Sequence, residues 1–347
     1  MKNILVIKND RLGDFAISLP AFNLILNKYK NEKITFILSD INYGFSFLLK
    51  KKNVDFIKTS YSLNFFERLN IFFFLLFNKI DKIYIFRPKN YFFFLSFVFR
   101  KIKFIGICVK NKGILRPNKF FLKYLHYYLI NDRDTNGARK SIVELQIEAI
   151  RFSTNNLENL INNLNPANLV NDNLPNNYIL VHYKHAIFKQ GKWTINNFIS
   201  LLKKISIFKK IILITDLDND DYKNFFYKSF TSIDLKKKID NKVIKDNNII
   251  FIDNAASENL AYIIKNAELV VACHGTMTML ASYFNVKTLD LYYIDKNINN
   301  YKKQYVNSFR EFRPFKKNIY KRIIFKEYYI YEKKIISFIK ILLNNYE

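Results

Sequence analysis

Glycine and proline are scarce, at 7 and 6 of 347 residues. With half the residues hydrophobic, that excludes a collagen-like chain and most disordered ones. Two cysteines, Cys108 and Cys273, are too few for a disulfide framework, so nothing points to an oxidising compartment. Four histidines leave little material for a histidine-rich metal centre. Long apolar runs are missing too: the longest, residues 71–77 and 91–99, fall far short of the roughly 20 residues a spanning helix needs. The basic start passes at once into a short strand, and Asn9-Asp10-Arg11 interrupts it before an apolar signal core forms. A cytoplasmic protein is expected, able to touch a membrane without crossing it.

Acidic residues are the other shortage. Against 56 Lys and Arg stand 29 Asp and Glu, a net charge of +27. Nucleic acid, an anionic membrane surface and phosphorylated small molecules would each suit that charge. Lys, Asn, Ile, Phe and Tyr are abundant together and share A- and T-rich codons, so codon usage explains part of the excess. No helix-turn-helix, zinc or RNA-binding motif accompanies the charge, and no nucleic-acid partner is expected.

The length suits two domains, each with its own core. Apolar strands at residues 3–7, 34–38, 56–57, 83–86 and 104–108 alternate with helices at 13–26, 45–49, 65–77, 91–100 and 138–152. The Asn-rich stretch 153–177, with Pro166 and Pro175, reads as a connection. The pattern then restarts. Strands fall at 178–183, 211–215, 249–252, 269–272 and 288–292. Helices fall at 194–205, 218–230, 257–265, 278–284 and 331–345, with Thr194 and Ser257 as N-caps, and 295–318 reads as loop. Such repetition defines an α/β protein with largely parallel sheets and helices on both faces. The expected domains are 1–165 and 166–347, with a ligand cleft between them.

Ligands of such folds meet the carboxyl ends of strands. Three strand-to-helix loops carry suitable chemistry. In Lys8-Asn9-Asp10-Arg11-Leu12-Gly13-Asp14, Gly13 allows a tight turn and close approach. Asp14 stands in the first helical turn, where the helix dipole keeps it ionised. It either caps the helix or takes a proton from a hydroxyl. A single glycine is not a dinucleotide fingerprint. In the second loop, Lys184, Lys189 and Lys192 can meet a phosphate beside free helix amides, and Trp193 reads as core or hinge. In the third, Gly275 gives backbone access, Thr276 and Thr278 with the following amides suit a diphosphate, and His274 suits a phosphate or sugar hydroxyl. Cys273 and His274, like His182 and His185, lack a third group at ligand spacing, so no metal site is expected.

Together these segments resemble glycosyltransferase family 9, the lipopolysaccharide heptosyltransferases. Residues 4–40 carry its opening strand, the motif Arg11-Leu12-Gly13-Asp14 and a helix containing Pro20. Lys192-Trp193 resembles its Lys-Trp element, and residues 255–293 its donor-binding segment. The resemblance implies a GT-B architecture, two Rossmann-like α/β/α domains with the acceptor on 1–165 and a nucleotide-sugar on 166–347. It implies inverting, metal-independent transfer of a heptose or hexose from a nucleotide-sugar co-substrate, ADP-linked foremost, with no other cofactor. Asp14 would be the base, and Lys192 would contact the donor phosphates. The acceptor would be a glycolipid or oligosaccharide of lipopolysaccharide or another envelope glycan. A monomer at the cytoplasmic face of the inner membrane is expected. The basic surface and the aromatic helices at 65–77 and 91–99 suit peripheral contact there, although most residues of those helices are expected to pack as core. The donor segment departs from the family. His274 stands where an Asp is usual, and Met279, which cannot donate a strong hydrogen bond, stands where a His is usual. Thr215-Asp216-Leu217-Asp218 replaces a glycine-rich acidic turn, leaving Asp216 or Asp218 to accept ribose hydroxyls. These changes leave a second expectation, a non-catalytic nucleotide- or glycan-binding protein on the same scaffold.

Overall fold

The computed structural model describes residues 2–134, 140–150, 174–215, 223–234, 248–253, 255–293, 311–313, 320–325 and 328–344. The chain divides into two units, Met1–Asn165 with Lys302–Arg313, and Pro166–Tyr301 with Pro314–Glu347. Residues 302–313, which the sequence alone assigns to the second half, thus group with the first. The buried Glu311 carboxylate accepts hydrogen bonds from Asn131 (2.9 Å) and from Arg133 (Nε, 3.0 Å), and Arg313 pairs with Glu144. No local pattern around Glu311 announces those distant partners.

The first unit runs β1 (Asn3–Lys8), α1 (Leu12–Lys28), β2 (Lys33–Ser39), a 3-10 turn (Tyr43–Leu49), β3 (Val54–Thr59), α2 (Phe65–Phe77), β4 (Lys82–Ile85) and α3 (Asn90–Val98). It continues with β5 (Lys103–Asn111), β6 (Ile114–Arg116), α4 (Lys119–Leu122), β7 (Tyr127–Asp132) and α5 (Ile142–Ala149). Its sheet is ordered β3-β2-β1-β4-β5, with β7 parallel and β6 antiparallel to β5. Ile4 to Ile7 are buried on both faces of β1, as a central parallel strand requires. In α1 every residue from Phe15 to Leu26 is buried, so this helix lies inside the unit rather than on its surface. It is tied to α5: Gln146 donates to the Ser18 hydroxyl (2.8 Å), which donates to the Asp14 carbonyl (2.7 Å). Capping boxes start α2 (Asn64 with Glu67) and α5 (Ser141 with Glu144). Strand β7 and the short β6 and α4 are absent from the sequence expectation. Exposure alternates along most of β7, so its short apolar run does not mark a buried strand.

The second unit runs β8 (Tyr178–Tyr183), α6 (His185–Gln190), α7 (Ile195–Ser206), β9 (Lys210–Thr215), α8 (Lys223–Ser229), β10 (Thr231–Asp234) and β11 (Ile249–Asp253). It continues with α9 (Ser257–Asn266), β12 (Leu269–Cys273), α10 (Thr276–Tyr283), β13 (Lys287–Tyr293), β14 (Tyr320–Phe325) and α11 (Tyr328–Asn344). The sheet, β10-β11-β9-β8-β12-β13-β14, is parallel throughout. Tyr183, Phe188, Trp193, Phe198 and Phe226 pack as an aromatic nucleus, and Ile335, Ile339 and Leu342 bring α11 onto the same core at helical spacing. Thr194 caps α7, accepting from the Asn197 N–H at 3.1 Å. Ser257 does not cap α9: Ala256 holds that place and Ser257 is already helical. Among the described residues, no helix is long and apolar enough to cross a membrane.

Each sheet grows outward in both directions from a central pair, β1 beside β4 and β8 beside β12. At such a reversal the crossover helices part, and the strand ends open a crevice.

Packing under β5 is close. A Cβ on Gly106 would lie 2.8 Å from Cε1 of the fully buried Phe93 and 3.6 Å from Leu125. Gly106→Ala is therefore expected to cost about 1–3 kcal/mol. A urea titration checks this: the midpoint should fall with an unchanged m-value, and an unmoved midpoint would mean that Phe93 has room to yield.

Candidate functional site

In the first unit, the carboxyl ends of β1 and β4 bring charge together. Lys8 ends β1 and is buried, at 2% exposure. An unpaired ammonium there would cost several kcal/mol. Its Nζ instead lies 3.2 Å from Asp10 Oδ2, and it donates at 3.4 Å to the Phe86 carbonyl at the end of β4. The other Asp10 oxygen pairs with Arg87. Burial alone would raise the pKa of Asp10. Lys8 and Arg87 outweigh that and hold it below the usual carboxylate range. The backbone here is anchored as well. Asn42 donates to the carbonyls of Lys8 (3.0 Å) and Asp10 (3.1 Å), and Asn9 donates to the Thr59 hydroxyl and the Ser60 carbonyl, both at 2.7 Å.

Asp14 stands on the first turn of α1 above this cluster. Arg11 is the N-cap, and its side chain makes no capping bond. Gly13 forms no turn of its own: it is the second residue of α1. The helix dipole favours ionised Asp14, but burial and then the neighbouring Asp10 charge act against it, with Lys8 and Arg87 as partial relief. The Asp14 carboxyl is pushed up to about 6. It is thus ionised at neutral pH yet a far better proton acceptor than an ordinary aspartate.

Around this pair stand further cations that the sequence did not single out. Lys89 donates to the Asn9 side-chain oxygen and to the Tyr61 carbonyl. Burial, with Arg87 alongside, pushes its ammonium down to about 8. The Tyr61 ring lies 4.2 Å from the Arg87 guanidinium and 5.2 Å from Lys89 Nζ. Arg87 and Lys89 come from the turn after the next strand of the sheet, so only knowledge of the strand order would have found them.

In the second unit, β8 and β12 are neighbours, with His182 opposite Ala272. Lys184 and His274 therefore leave the sheet side by side. The His274 Nδ1–H donates to Asp290 Oδ2 at 2.8 Å, and the Tyr320 hydroxyl donates to the same oxygen of this fully buried carboxylate. Tyr292 packs beside the imidazole, with ring centroids 5.0 Å apart. The ring is thereby fixed in plane and direction. Gly275 follows with φ at 155°, a conformation L side chains rarely adopt. Its N–H donates to Thr278 Oγ1 (3.1 Å), and that hydroxyl donates to the Gly275 carbonyl (2.9 Å). Thr278 is buried, and its hydroxyl is engaged in starting α10. Thr276, part-exposed, is the first residue of α10 and presents its backbone at the helix start.

Lys189, in the last turn of α6, and Lys192, just past its end, are exposed. Lys192 holds φ at 59°. The Trp193 N–H bonds to the Phe188 carbonyl (2.9 Å), and the buried Trp193 ring packs on Phe188, so this tight return is pinned from below. Trp193 is core, as expected. Met279 and Cys273 are also buried in the core, and the hydrogen-bonding residue expected at Met279 is replaced by packing. Asp216 and Asp218 lie outside the described residues. At the end of β11, the buried Lys223 and the exposed Tyr227 hold Asp253, partners that no local pattern announces. Among the described residues, no group of three or more His, Cys, Asp or Glu is arranged to hold a metal ion.

No protein-family model matches the chain, and no curated protein matches it. Solved structures do. E. coli ADP-heptose lipopolysaccharide heptosyltransferase II is 13% identical, with a TM-score of 0.67 over 99% of each chain. The chain has the GT-B fold. A glycosyltransferase family 9 protein from Veillonella parvula is 11% identical, with a TM-score of 0.65 over 99% of this chain and 97% of its own. The UDP-GlcNAc 2-epimerase of Methanocaldococcus jannaschii is 16% identical, with a TM-score of 0.56 over 99% of this chain and 93% of its own. Transferases and an epimerase share this scaffold, so chemistry has to be argued from the residues.

Asp14 also leaves a mark on stability. Its folded pKa lies above the ordinary 3.8. The stability that goes with its protonated form is therefore fully present below about pH 3.8 and is lost as pH rises through about 6. Asp14→Asn, neutral and of the same shape, is expected to be about 1–3 kcal/mol more stable than wild type at pH 7.5, with the gap closing below pH 4. Urea midpoints at the two pH values check this. Equal stability at pH 7.5 would mean that Lys8 and Arg87 fully offset the burial.

Proposed function

We propose that the protein is an inverting, metal-independent glycosyltransferase that moves a sugar from a nucleotide-sugar to an acceptor hydroxyl. The observation that carries this reading is the Asp14 carboxyl, raised to about 6 at the reversal point of the first sheet and set beside the Lys8–Asp10–Arg87 cluster. The acceptor hydroxyl gives its proton to Asp14 as its oxygen attacks the anomeric carbon. The bond from that carbon to the diphosphate breaks on the opposite face, and its electron pair leaves on the phosphate oxygen. Configuration at the anomeric carbon inverts.

Charge growing on the leaving group needs fixed partners, and aimed donors of this kind are a leading source of rate enhancement. Lys192, Lys184 and the backbone amides from Thr276 onward at the start of α10 take that part, with Lys189 nearby in the sequence. His274, oriented by Asp290, contacts the donor. Asp10 does not take the proton itself. Held ionised by Lys8 and Arg87, it keeps a negative charge beside Asp14 and so raises the basicity of Asp14. A heptose or hexose on ADP is the favoured donor, and a lipopolysaccharide-type or other envelope glycan the favoured acceptor. The heptosyltransferases sharing the fold, and the sequence segments that resemble them, support that choice.

A panel of ADP-, GDP-, UDP- and CMP-sugars, assayed for binding and for transfer or hydrolysis, tests the reading. One donor class should bind saturably and turn over. Asp14→Asn should keep donor binding and lose about 10²–10⁴-fold in turnover. Lys192→Ala should weaken donor binding and lower kcat by about 10²-fold. The kcat/KM of the wild type should rise with pH through about 6 and level off above, and that rise should vanish in Asp14→Asn. Tight donor binding without turnover, equal in wild type and Asp14→Asn, would favour a non-catalytic binding protein. The buried Met279 in place of a hydrogen-bonding residue is the observation on that side.

A further inference from the structure

Helix α2 has an apolar face that its own unit does not use. Ile71 and Leu75 point into the core. Phe65, Phe66, Phe73, Leu76 and Phe77 are exposed, at 67%, 74%, 45%, 54% and 79%. At 100° per residue these five and the part-exposed Leu69 fall within an arc of about 120°, and no charged residue falls inside it. The tract continues sideways. Phe72 packs on Phe99 at 5.2 Å, and Phe94, Val98 and Phe120 are exposed on α3 and α4. Isolated exposed apolar residues need no explanation, but a contiguous phenylalanine face of this extent does.

The fringe of the tract is basic. Residues 61–110 contain nine Lys and Arg against two acids, Glu67 and Asp81. Both acids are engaged: Glu67 closes the α2 capping box and bonds Ser60, and Asp81 accepts from the Asn3 N–H at 2.8 Å. Lys79 follows α2, and Arg100 and Lys101 follow α3; all three are exposed. Lys82 and Lys103 stand opposite each other where β4 and β5 begin. Lys79 and Lys101, with the Arg100 guanidinium lying over the Phe97 and Tyr124 rings, therefore gather at the end of the tract where Phe77 and Leu76 protrude.

We infer that this face docks the protein on an anionic lipid surface. The α2 phenylalanines enter the boundary between headgroups and acyl chains, and Lys79, Arg100 and Lys101 meet headgroup phosphates. A second copy of the chain fits less well, because it would press one basic fringe against another, whereas an anionic bilayer neutralises it. The inference goes beyond the proposed transfer reaction and does not rest on it, since docking is read without any donor or acceptor.

Vesicle sedimentation tests it, using phosphatidylcholine vesicles and the same vesicles with added phosphatidylglycerol. The proteins are the full chain, a triple variant Phe66→Ser, Phe73→Ser and Phe77→Ser, and a triple variant Lys79→Glu, Arg100→Glu and Lys101→Glu. All six positions are exposed, so thermal midpoints should match wild type. Wild type should bind the anionic vesicles, more weakly as salt rises, and bind neutral ones far less. Each triple variant should lose about tenfold or more in partitioning. Two results would overturn the inference. One is wild-type binding by the phenylalanine variant, which would reduce the effect to bulk charge. The other is a concentration-dependent dimer in sedimentation equilibrium that the phenylalanine variant abolishes, with no vesicle binding by wild type.

Discussion

The buried ammonium of Lys8 sets terms for everything around it. A lysine at the end of a fully buried strand has to find a carboxylate, and Asp10, two residues on, supplies one. Asp10 is itself taken out of water and needs a second cation, which Arg87 brings from the end of β4. The result is a charge lattice whose surplus is felt by Asp14. The same desolvation that obliges Lys8 and Asp10 to pair makes Asp14 reluctant to ionise, and the Asp10 charge adds to that reluctance. Poised basicity at this position therefore follows from how the strand ends are buried, with no special device at Asp14 itself.

The two units repeat one arrangement with different chemistry. Each places its reactive loops where the sheet reverses direction, after β1 and β4 in the first and after β8 and β12 in the second. The first unit concentrates ionised groups there. The second offers a helix start, a glycine backbone and an imidazole locked to a buried carboxylate. A proton acceptor and a set of anion-binding donors are the two halves of a group transfer to a hydroxyl.

Much of this was legible in the amino-acid sequence, for physical reasons that can be named. Central parallel strands such as β1 and β8 are continuous apolar runs, and helices such as α2 and α7 carry their own caps, so local pattern suffices for them. The edge elements were not legible: exposure alternates along β7, and β6 and α4 are too short to show a period. Asp14 could be picked out because it follows a strand and opens a helix. Arg87 and Lys89 could not, since their place beside Asp10 depends on β4 pairing with β1 across the sheet. Gly13 and Thr278 were read as ligand contacts because their residue types permit it. The structure places Gly13 in the first turn of α1 and the Thr278 hydroxyl on a cap, placements that residue type alone does not reveal.

The hydrogen-bonded chain from Gln146 through Ser18 to the Asp14 carbonyl has a mechanical side. Helix α5, which contributes Gln146, is held at Glu144 by Arg313, the last residue of the 302–313 segment that groups with the first unit. The turn that carries the carboxylate is thus tied through two side chains to a short helix that is itself fastened by a residue far along the chain. A displacement of α5 by a fraction of an ångström would be passed on to that turn through two side chains, with no need for the sheet to move.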